Sequence, residues 1–391
     1  MLQGGTYKMN KELIKLPMAA EKQTTSCCAD EQSQECLEDT AQDAAGAHWV
    51  AGQLETAVGP VYQVSTTLSR ADLLGSFKAR WGVGRMTYTV PPGLYAVGQP
   101  DKTSPVLVSA NYKLSFDYLR KELSGLNVWV LVLDTKGINV WCAAGKGSFG
   151  TDEVVKMVSA AGLSRLVSHR TLILPQLAAP GVSAHEVRRR CGFKVIYGPV
   201  RAADIPAFLK AGNKAEAAMR RTRFTLRDRL VLTPVELTAL IKPAIGLVFY
   251  LFILNLASVL INNSPVGLLP LLNQTFSDFT PFFLALLVGA VLVPALLPYI
   301  PGRAFAWKGL VMGVLLAFGY TLLAASPGGW LQTTAYFLAI PAITAFLGMN
   351  FTGSTTYTSL SGVFKEMDVA LPLIIISACL GLIALTAAYF V

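Results

Sequence analysis

One thiol stands among residues that leave it room to react. In Asn139-Val140-Trp141-Cys142-Ala143-Ala144-Gly145-Lys146, Cys142 follows a short apolar run from Ile138 and is expected to leave the end of a buried strand. Ala143, Ala144, Gly145, Gly147 and Ser148 are small enough to let a large flat ligand approach the backbone. A deprotonated thiol is a nucleophile and a ligand for soft metals. Lys146, and the positive end of a helix expected from Thr151, would lower its pKa. Residue types alone leave a plainer alternative open, since free cysteines commonly serve as small core residues. The glycines of this turn fit neither GxGxxG nor GxxxxGK followed by Ser or Thr, so nucleotide phosphates are not the expected ligand.

The other candidates carry less chemistry. Cys27, Cys28 and Cys36 lie in a polar N-terminal segment and suit either a soft metal or free thiols in a tail. Cys191 is expected near a helix end and Cys379 inside an apolar segment. His185 should sit on the surface in the first turn of a capped helix, and His169, beside Arg170, before a strand. Trp81 and Trp129 are expected as core aromatics. No CxxCxxC run offers an iron–sulfur cluster.

The elements that position Cys142 alternate. Strands are expected at Pro105–Ser109, Asn127–Leu133, Leu172–Pro175 and Lys194–Tyr197. Between and after them come a helix capped by Ser115 and running to Leu123, one capped by Thr151, one opened by a Ser183–Glu186 capping box and ended by Gly192, and one over Asp204–Ala211. Continuous apolar strands alternating with helices imply a parallel sheet covered on both faces. Ligands then bind at the carboxyl ends of the strands. Those ends carry Ser109-Ala110-Asn111-Tyr112, Asp134-Thr135-Lys136-Gly137, Cys142 to Lys146, Pro175-Gln176 and Gly198-Pro199-Val200.

Charge divides the chain. The 391 residues are 53% hydrophobic and 15% charged, yet after Pro243 the only charged residues are Asp278, Arg303, Lys308, Lys365, Glu366 and Asp368. Five apolar stretches near 244–262, 279–300, 309–325, 331–349 and 369–391 hold no formal charge and are long enough to cross a bilayer. With the α/β domain in the cytoplasm, Arg303, Lys308 and Lys365 fall in cytoplasmic loops and the opposite loops hold no Lys or Arg, as the positive-inside rule requires. Asn255 and Ser258 can join helices, and no intramembrane charge marks a transport path. The net charge of +9 comes largely from Arg220, Arg221, Arg223, Arg227, Arg229 and Lys242 before the first span. That placement fits a membrane surface better than nucleic acid. The first 50 residues lack the apolar core of a signal peptide. The expected organisation is a poorly ordered tail over 1–55, an α/β domain over 56–230 and an all-α membrane domain of five helices over 231–391.

The octapeptide resembles the signature of the HgcA family, the corrinoid proteins of microbial mercury methylation, whose pattern N-V/I-W-C-A-A/G-G-K it matches at every position. Arg80 to Met86, Pro92 to Tyr95, Ala110 to Lys113, Ser115 to Asp117 and Pro175 to Leu177 also look like segments of that family. The soluble part resembles the corrinoid domain of the corrinoid iron–sulfur protein. The resemblance covers roughly residues 56 to 391. It implies a cobalamin-type corrinoid bound base-off, with the Cys142 thiolate as lower axial cobalt ligand. Asn139, Val140, Trp141, Ala143, Ala144, Gly145 and Lys146 would form the cap, and Asn111, Tyr112, Thr135, Gln176 and Gly198 further contacts. Strong donation by the thiolate would help methyl leave as a carbanion-like group towards Hg(II). The corrinoid must then regain two electrons and accept a new methyl group. The resemblance supplies partners for both steps: HgcB, a ferredoxin-like protein with 4Fe–4S clusters, and a methyl-donor methyltransferase. Corrinoid modules with a histidine ligand usually carry DxHxxG, which this chain lacks. Two other readings stay open: a corrinoid methyltransferase subunit of one-carbon metabolism in the membrane, and a non-catalytic membrane-anchored binding protein.

Overall fold

The computed structural model describes Ala44, residues 46–263, Pro265 and residues 267–323, 329–354 and 360–391. Cys27, Cys28 and Cys36 lie outside the described residues. The first half is a seven-stranded sheet: β1 (Val50–Thr56), β2 (Gly59–Val64), β3 (Gly93–Val97), β4 (Val106–Ala110), β5 (Val128–Leu133), β6 (Thr171–Leu174) and β7 (Lys194–Tyr197). The spatial order is β1-β2-β3-β5-β4-β6-β7. Strands β4 to β7 run parallel to one another, as expected. The sheet as a whole is mixed, because β3 runs antiparallel to β5 and β1 antiparallel to β2.

Every residue of β4 and β5 is buried, as strands covered on both faces require. Alternate side chains feed two cores. Val106, Val108, Trp129, Leu131 and Leu172 pack with α3 (Val140–Lys146), α4 (Thr151–Ala160) and α6 (Ala184–Cys191). Leu107, Val128, Val130, Val132 and Ile173 pack with α2 (Lys113–Glu122) and α7 (Ile205–Lys210). Two short helices complete this half, α1 (Arg70–Arg80) and α5 (Leu163–Leu166).

Several sequence expectations need correction. The sheet begins at Val50, so the boundary expected at residue 55 falls inside β1. Trp49 also packs edge-on against Tyr95 and Phe116, with ring centroids 5.5 and 5.4 Å away. Helix α2 starts at Lys113 with Tyr112 as its cap, two residues before Ser115. Gly150, not Thr151, caps α4; the Thr151 hydroxyl instead accepts from Ser183 N at 2.9 Å. The Ser183–Glu186 box forms in one direction only, Ser183 Oγ accepting from Glu186 N. Trp129 is buried as expected, whereas Trp81 is 38% exposed.

The second half is helical: α8 (Leu226–Leu230), α9 (Thr233–Ile261), α10 (Leu268–Leu287), α11 (Val293–Leu296), α12 (Phe305–Leu323), α13 (Trp330–Asn350) and α14 (Leu360–Ala388). Among the described residues, five helical segments are long and apolar enough to cross a membrane. A π-helical turn over Val288–Leu292 joins α10 to α11. Pro294 accounts for it, since its ring removes an N–H and crowds the carbonyl four residues back. The second span therefore begins at Leu268, eleven residues earlier than expected, and it carries Asp278 within it. A carboxylate thus lies within a candidate span after all. Asn255 does join helices, its Nδ2 donating to Asp278 Oδ2 at 2.9 Å; Ser258 bonds only within its own helix, to Asn262. Helices α12 and α13 meet at glycines. A Cβ on Gly309 would lie 2.2 Å from the Thr344 carbonyl oxygen, and one on Gly313 2.1 Å from Thr344 Oγ1, the close approach that small residues four apart permit.

The two halves touch. Phe224 and Leu232 pack with Val293, Leu297, Phe305 and Phe351. The end of the second candidate span, the start of the third and the end of the fourth thus gather beside residues 224–232, the segment that joins the α/β domain to the first.

Candidate functional site

The carboxyl ends of β4, β6 and β7 open into a cavity of about 340 Å3. Its walls include Ser109 near the end of β4, Pro175 after β6, Gly198 and Pro199 after β7, and Asn139, Val140 and Trp141 from the cysteine segment. Glycine suits position 198, where a Cβ would come within 3.2 Å of Ile173 Cγ2.

Cys142 does not leave a strand. The run Ile138–Cys142 is too short for periodicity to separate strand from helix, and a cap decides the matter. Asn139 Oδ1 accepts from Cys142 N at 2.9 Å, opening α3, as asparagine does at N-caps. Gly147, at φ +85°, closes α3 after seven residues. Cys142 is half-buried in the first turn, beside the cavity-lining Val140 and Trp141. Ala143 and Ala144 are buried in the core. Their smallness serves packing against the 181 turn, where a Cβ on Gly181 would lie 2.8 Å from the Ala144 carbonyl oxygen. Gly145 and Lys146 are exposed.

The thiol's electrostatics differ from expectation. Burial pushes the Cys142 pKa up, and Lys146, the Asn139 side chain and Arg85 offset this only in part. The net direction is upward, so the free thiol stays protonated at neutral pH.

Asn111 and Thr135 act behind the cavity. Asn111 Oδ1 accepts from Thr135 N at 3.1 Å, Thr135 Oγ1 at 2.8 Å and Gly137 N at 3.0 Å. Thr135 Oγ1 is also 2.7 Å from the Ile138 carbonyl oxygen. These bonds pin the loop from β5 to α3. Gly137, at φ +68°, is approached by the Met86 carbonyl, which would lie 2.9 Å from an added Cβ. The Tyr112 hydroxyl is buried without a hydrogen-bond partner, and Arg85 stacks over its ring at 5.7 Å. Gln176 Oε1 accepts from Arg220 Nη1 at 2.9 Å. The histidines stand apart: His169 Nε2 lies 2.9 Å from the Ser104 carbonyl oxygen, and His185 is exposed. Cys191 Sγ donates to the Val187 carbonyl.

Sequence reasoning missed Arg85 and Tyr118. Arg85, more than fifty residues upstream, adds its positive charge to the field at the thiol. Tyr118 lines the cavity from α2 and accepts a hydrogen bond from Arg80. No local spacing announces either.

Comparison with known proteins bears on this half. Residues 82–209 match the family described as CO dehydrogenase/acetyl-CoA synthase delta subunit. Curated relatives include the acetyl-CoA decarbonylase/synthase complex subunit gamma of Methanocaldococcus jannaschii, 32% identical over 128 residues, which are 32% of this chain and 26% of the relative. The subunit gamma of Methanopyrus kandleri is 32% identical over 123 residues, 31% of this chain and 26% of the relative. Subunit gamma 2 of Methanosarcina thermophila is 33% identical over 130 residues, 32% and 27% of the two chains. The chain spans about a quarter of the length of these relatives. The matched region holds β3 to β7, the cavity and α3; the membrane half lies beyond it.

Proposed function

We propose that this chain is a membrane-anchored corrinoid methyltransferase of the HgcA kind, passing a methyl group to Hg(II). The observation that carries this reading is Cys142 in the first turn of α3, within an octapeptide that matches the HgcA signature at every position and beside a cavity at the carboxyl edge of the sheet. The acetyl-CoA decarbonylase/synthase relatives support a methyl-transfer role for the α/β half.

The donor set fits such a cofactor. Among the described residues no three His, Cys, Asp or Glu side chains come together to hold a bare metal ion. A lone thiol suffices for a metal that arrives inside its own macrocycle and needs one axial ligand. A corrinoid, bound base-off, supplies cobalt able to carry a methyl group. Cys142 would be the residue that holds it, and a thiolate donates more strongly than imidazole or water. Burial holds the Cys142 pKa up, so the thiol would have to give up its proton to serve as a ligand, and the positive charges of Lys146 and Arg85 favour that loss. Asn139 fixes the turn that presents the thiol. Val140, Trp141 and Gly198, which line the cavity, would form the wall against the macrocycle. Asn111 and Thr135 hold the loop that carries α3, while Tyr112 and Gln176 stand at the strand ends as polar contacts.

The chain needs electrons and methyl groups from outside. HgcB, with its 4Fe–4S clusters, is the proposed electron partner and a methyltransferase the methyl source. A tether to the cytoplasmic face of the inner membrane raises their effective concentration. A second reading, a corrinoid subunit of one-carbon metabolism, is favoured by the relatives' own complexes and changes only the acceptor.

Anaerobic purification under reducing conditions tests the reading. The wild type is expected to carry a corrinoid absorption spectrum that Cys142→Ala alters, and to form methylmercury when HgcB is present. Full activity in Cys142→Ala would remove the axial-ligand role. Corrinoid without methylmercury would favour the one-carbon reading, and absence of corrinoid a plain binding protein. Cys142→His should lose most activity, because imidazole is the poorer donor.

A further inference from the structure

A second concavity lies between the α/β domain and the first membrane helix, and the reading above leaves it without a role. Phe77 and Trp81 at the end of α1 face Leu226, Leu230 and Val231 across a groove of about 640 Å3. The charged residues of its lining are Arg80 and Arg227, both cationic. Four of the apolar side chains stay open: Phe77 is 58% exposed, Trp81 38%, Leu226 51% and Leu230 38%. Such a patch marks a binding surface.

Its height above the membrane follows from α9. That helix has 29 residues, Thr233–Ile261, and is about 43 Å long at 1.5 Å per residue. The hydrocarbon layer takes about 20 residues. Counted back from Ile261, where Asn262 and Asn263 follow, the apolar stretch ends at Lys242. Trp81 lines the groove with Pro234 of α9, and the next residue, Gly82, meets α9 just above that point, where an added Cβ would lie 3.2 Å from Thr238 Oγ1. Thr238 stands four residues, about 6 Å, beyond Lys242, which is the thickness of a headgroup layer. The groove continues upwards to Pro234.

Charge agrees with that position. Residues 220–242 carry Arg220, Arg221, Arg223, Arg227, Arg229 and Lys242 against Asp228 and Glu236. Asp228 is already engaged by Arg201 at 3.0 Å. Exposed Lys78 adds a cation from α1. Arginine forks match phosphate oxygens, and tryptophan favours the bilayer interface.

We propose that this groove binds an anionic phospholipid of the leaflet facing the α/β domain. Arg80 and Arg227 take the phosphate, and Phe77, Trp81 and Leu230 take the glycerol end of an acyl chain. The inference rests on the helices being membrane spans and is independent of corrinoid chemistry. It has a bearing on the site, because the chain runs directly from Trp81 to Arg85, which acts on Cys142, and to Met86, which abuts Gly137.

The full-length protein in nanodiscs tests the proposal with two readouts. Native mass spectrometry compares retention of phosphatidylglycerol and phosphatidylcholine by the wild type, Arg227→Gln and Arg80→Gln/Arg227→Gln. The wild type is expected to retain phosphatidylglycerol preferentially, and the double variant at least about tenfold less, at unchanged melting temperature. Arg227→Lys should restore part of the retention and Arg303→Gln leave it intact. Separately, the fluorescence difference between wild type and Trp81→Phe isolates Trp81, which is expected to be quenched by phospholipid brominated near the headgroup and shielded from aqueous iodide. Equal retention by the double variant overturns the proposal. So does a Trp81 signal quenched by iodide alone, as in open water, or by neither agent, as under a protein segment.

Discussion

Asp72 and Asp117 in the α/β domain and Asp278 in the membrane half are 2%, 3% and 7% exposed, and their surroundings differ in kind. Lys113 Nζ stands 2.7 Å from Asp72 Oδ1 and 2.6 Å from Asp117 Oδ1. Arg120 Nε donates to Asp117 Oδ1 at 2.8 Å, while its Nη2 lies 2.8 Å from Asp72 Oδ2, a charge contact without hydrogen-bond geometry. Two acids and two bases balance, and they bind α1 to α2. Among the described residues Asp278 meets neutral donors: Asn255 Nδ2 and Gln274 Nε2 at 2.9 Å each, and the Tyr389 hydroxyl at 2.5 Å. A domain folded in water can recruit both signs of charge. A span must stay nearly charge-free to enter the bilayer, so its single carboxylate is held by amides and a phenol. The same burial is thus stabilised by charge pairing in one half and by dipoles in the other.

Removing a counter-ion should therefore hurt the first cluster most. Lys113→Met leaves two buried carboxylates sharing Arg120 and is expected to cost about 3–5 kcal/mol, read as a fall in the melting temperature of the α/β domain. A loss below about 1 kcal/mol would show that the pairing is not what holds α1. The membrane cluster calls for a paired test. Asp278→Asn keeps an acceptor and removes the charge, so it should change stability by less than about 1 kcal/mol. Asp278→Leu orphans three donors, at about 1–3 kcal/mol for each one that finds no new partner. If both substitutions destabilise equally on unfolding in mild detergent, the charge itself matters and the contrast fails.

Acid provides a further separation. Burial acts to raise the Asp72 pKa, but Lys113, Ser69 and His48 together hold it well below the usual carboxylate range. A depressed folded value contributes stability that is complete above the unfolded value, about 3.9, and is lost as pH falls towards the folded one. The melting temperature of the α/β domain should show no loss from this group between pH 7 and 5 and should decline below about pH 4. Lys113→Met should flatten that decline. An unchanged decline in the variant would assign the acid sensitivity to other carboxylates.

The contrast also explains what the sequence could convey. Strands β4 and β5 were readable because fully buried strands appear as unbroken apolar runs. The flanking β1–β2 hairpin was not, since Val50–Thr56 alternates between half-buried and exposed and resembles the polar segment before it. Cys142 was legible as a motif but misplaced as a strand end, because the deciding signal is one hydrogen bond from Asn139 to a backbone N–H three residues on. Arg85 was visible only within a family-like segment and not as a neighbour of the thiol, since its charge acts on Cys142 across the fold. Asp278 was visible as a residue yet set outside its span, because Gln274, Thr275 and Ser277 lower the local hydropathy enough to resemble a loop.

The smallest expected effect probes the weakest link of the membrane cluster. Tyr389 follows α14 and reaches back to Asp278, so its hydroxyl ties the end of the last span to the second. Tyr389→Phe removes one donor from a carboxylate that keeps Asn255 and Gln274, and no buried group is left wholly unpaired. The loss should be about 1 kcal/mol, the net worth of an ordinary hydrogen bond, rising towards 3 if the ionised acceptor strengthens it. The C-terminal turn should then exchange its amide protons faster than in the wild type, while amides of α9 near Asn255 stay protected. Loosening of α9 together with α14 would mean that the three donors act as one unit, and the membrane carboxylate would then resemble the coupled network of the α/β domain rather than contrast with it.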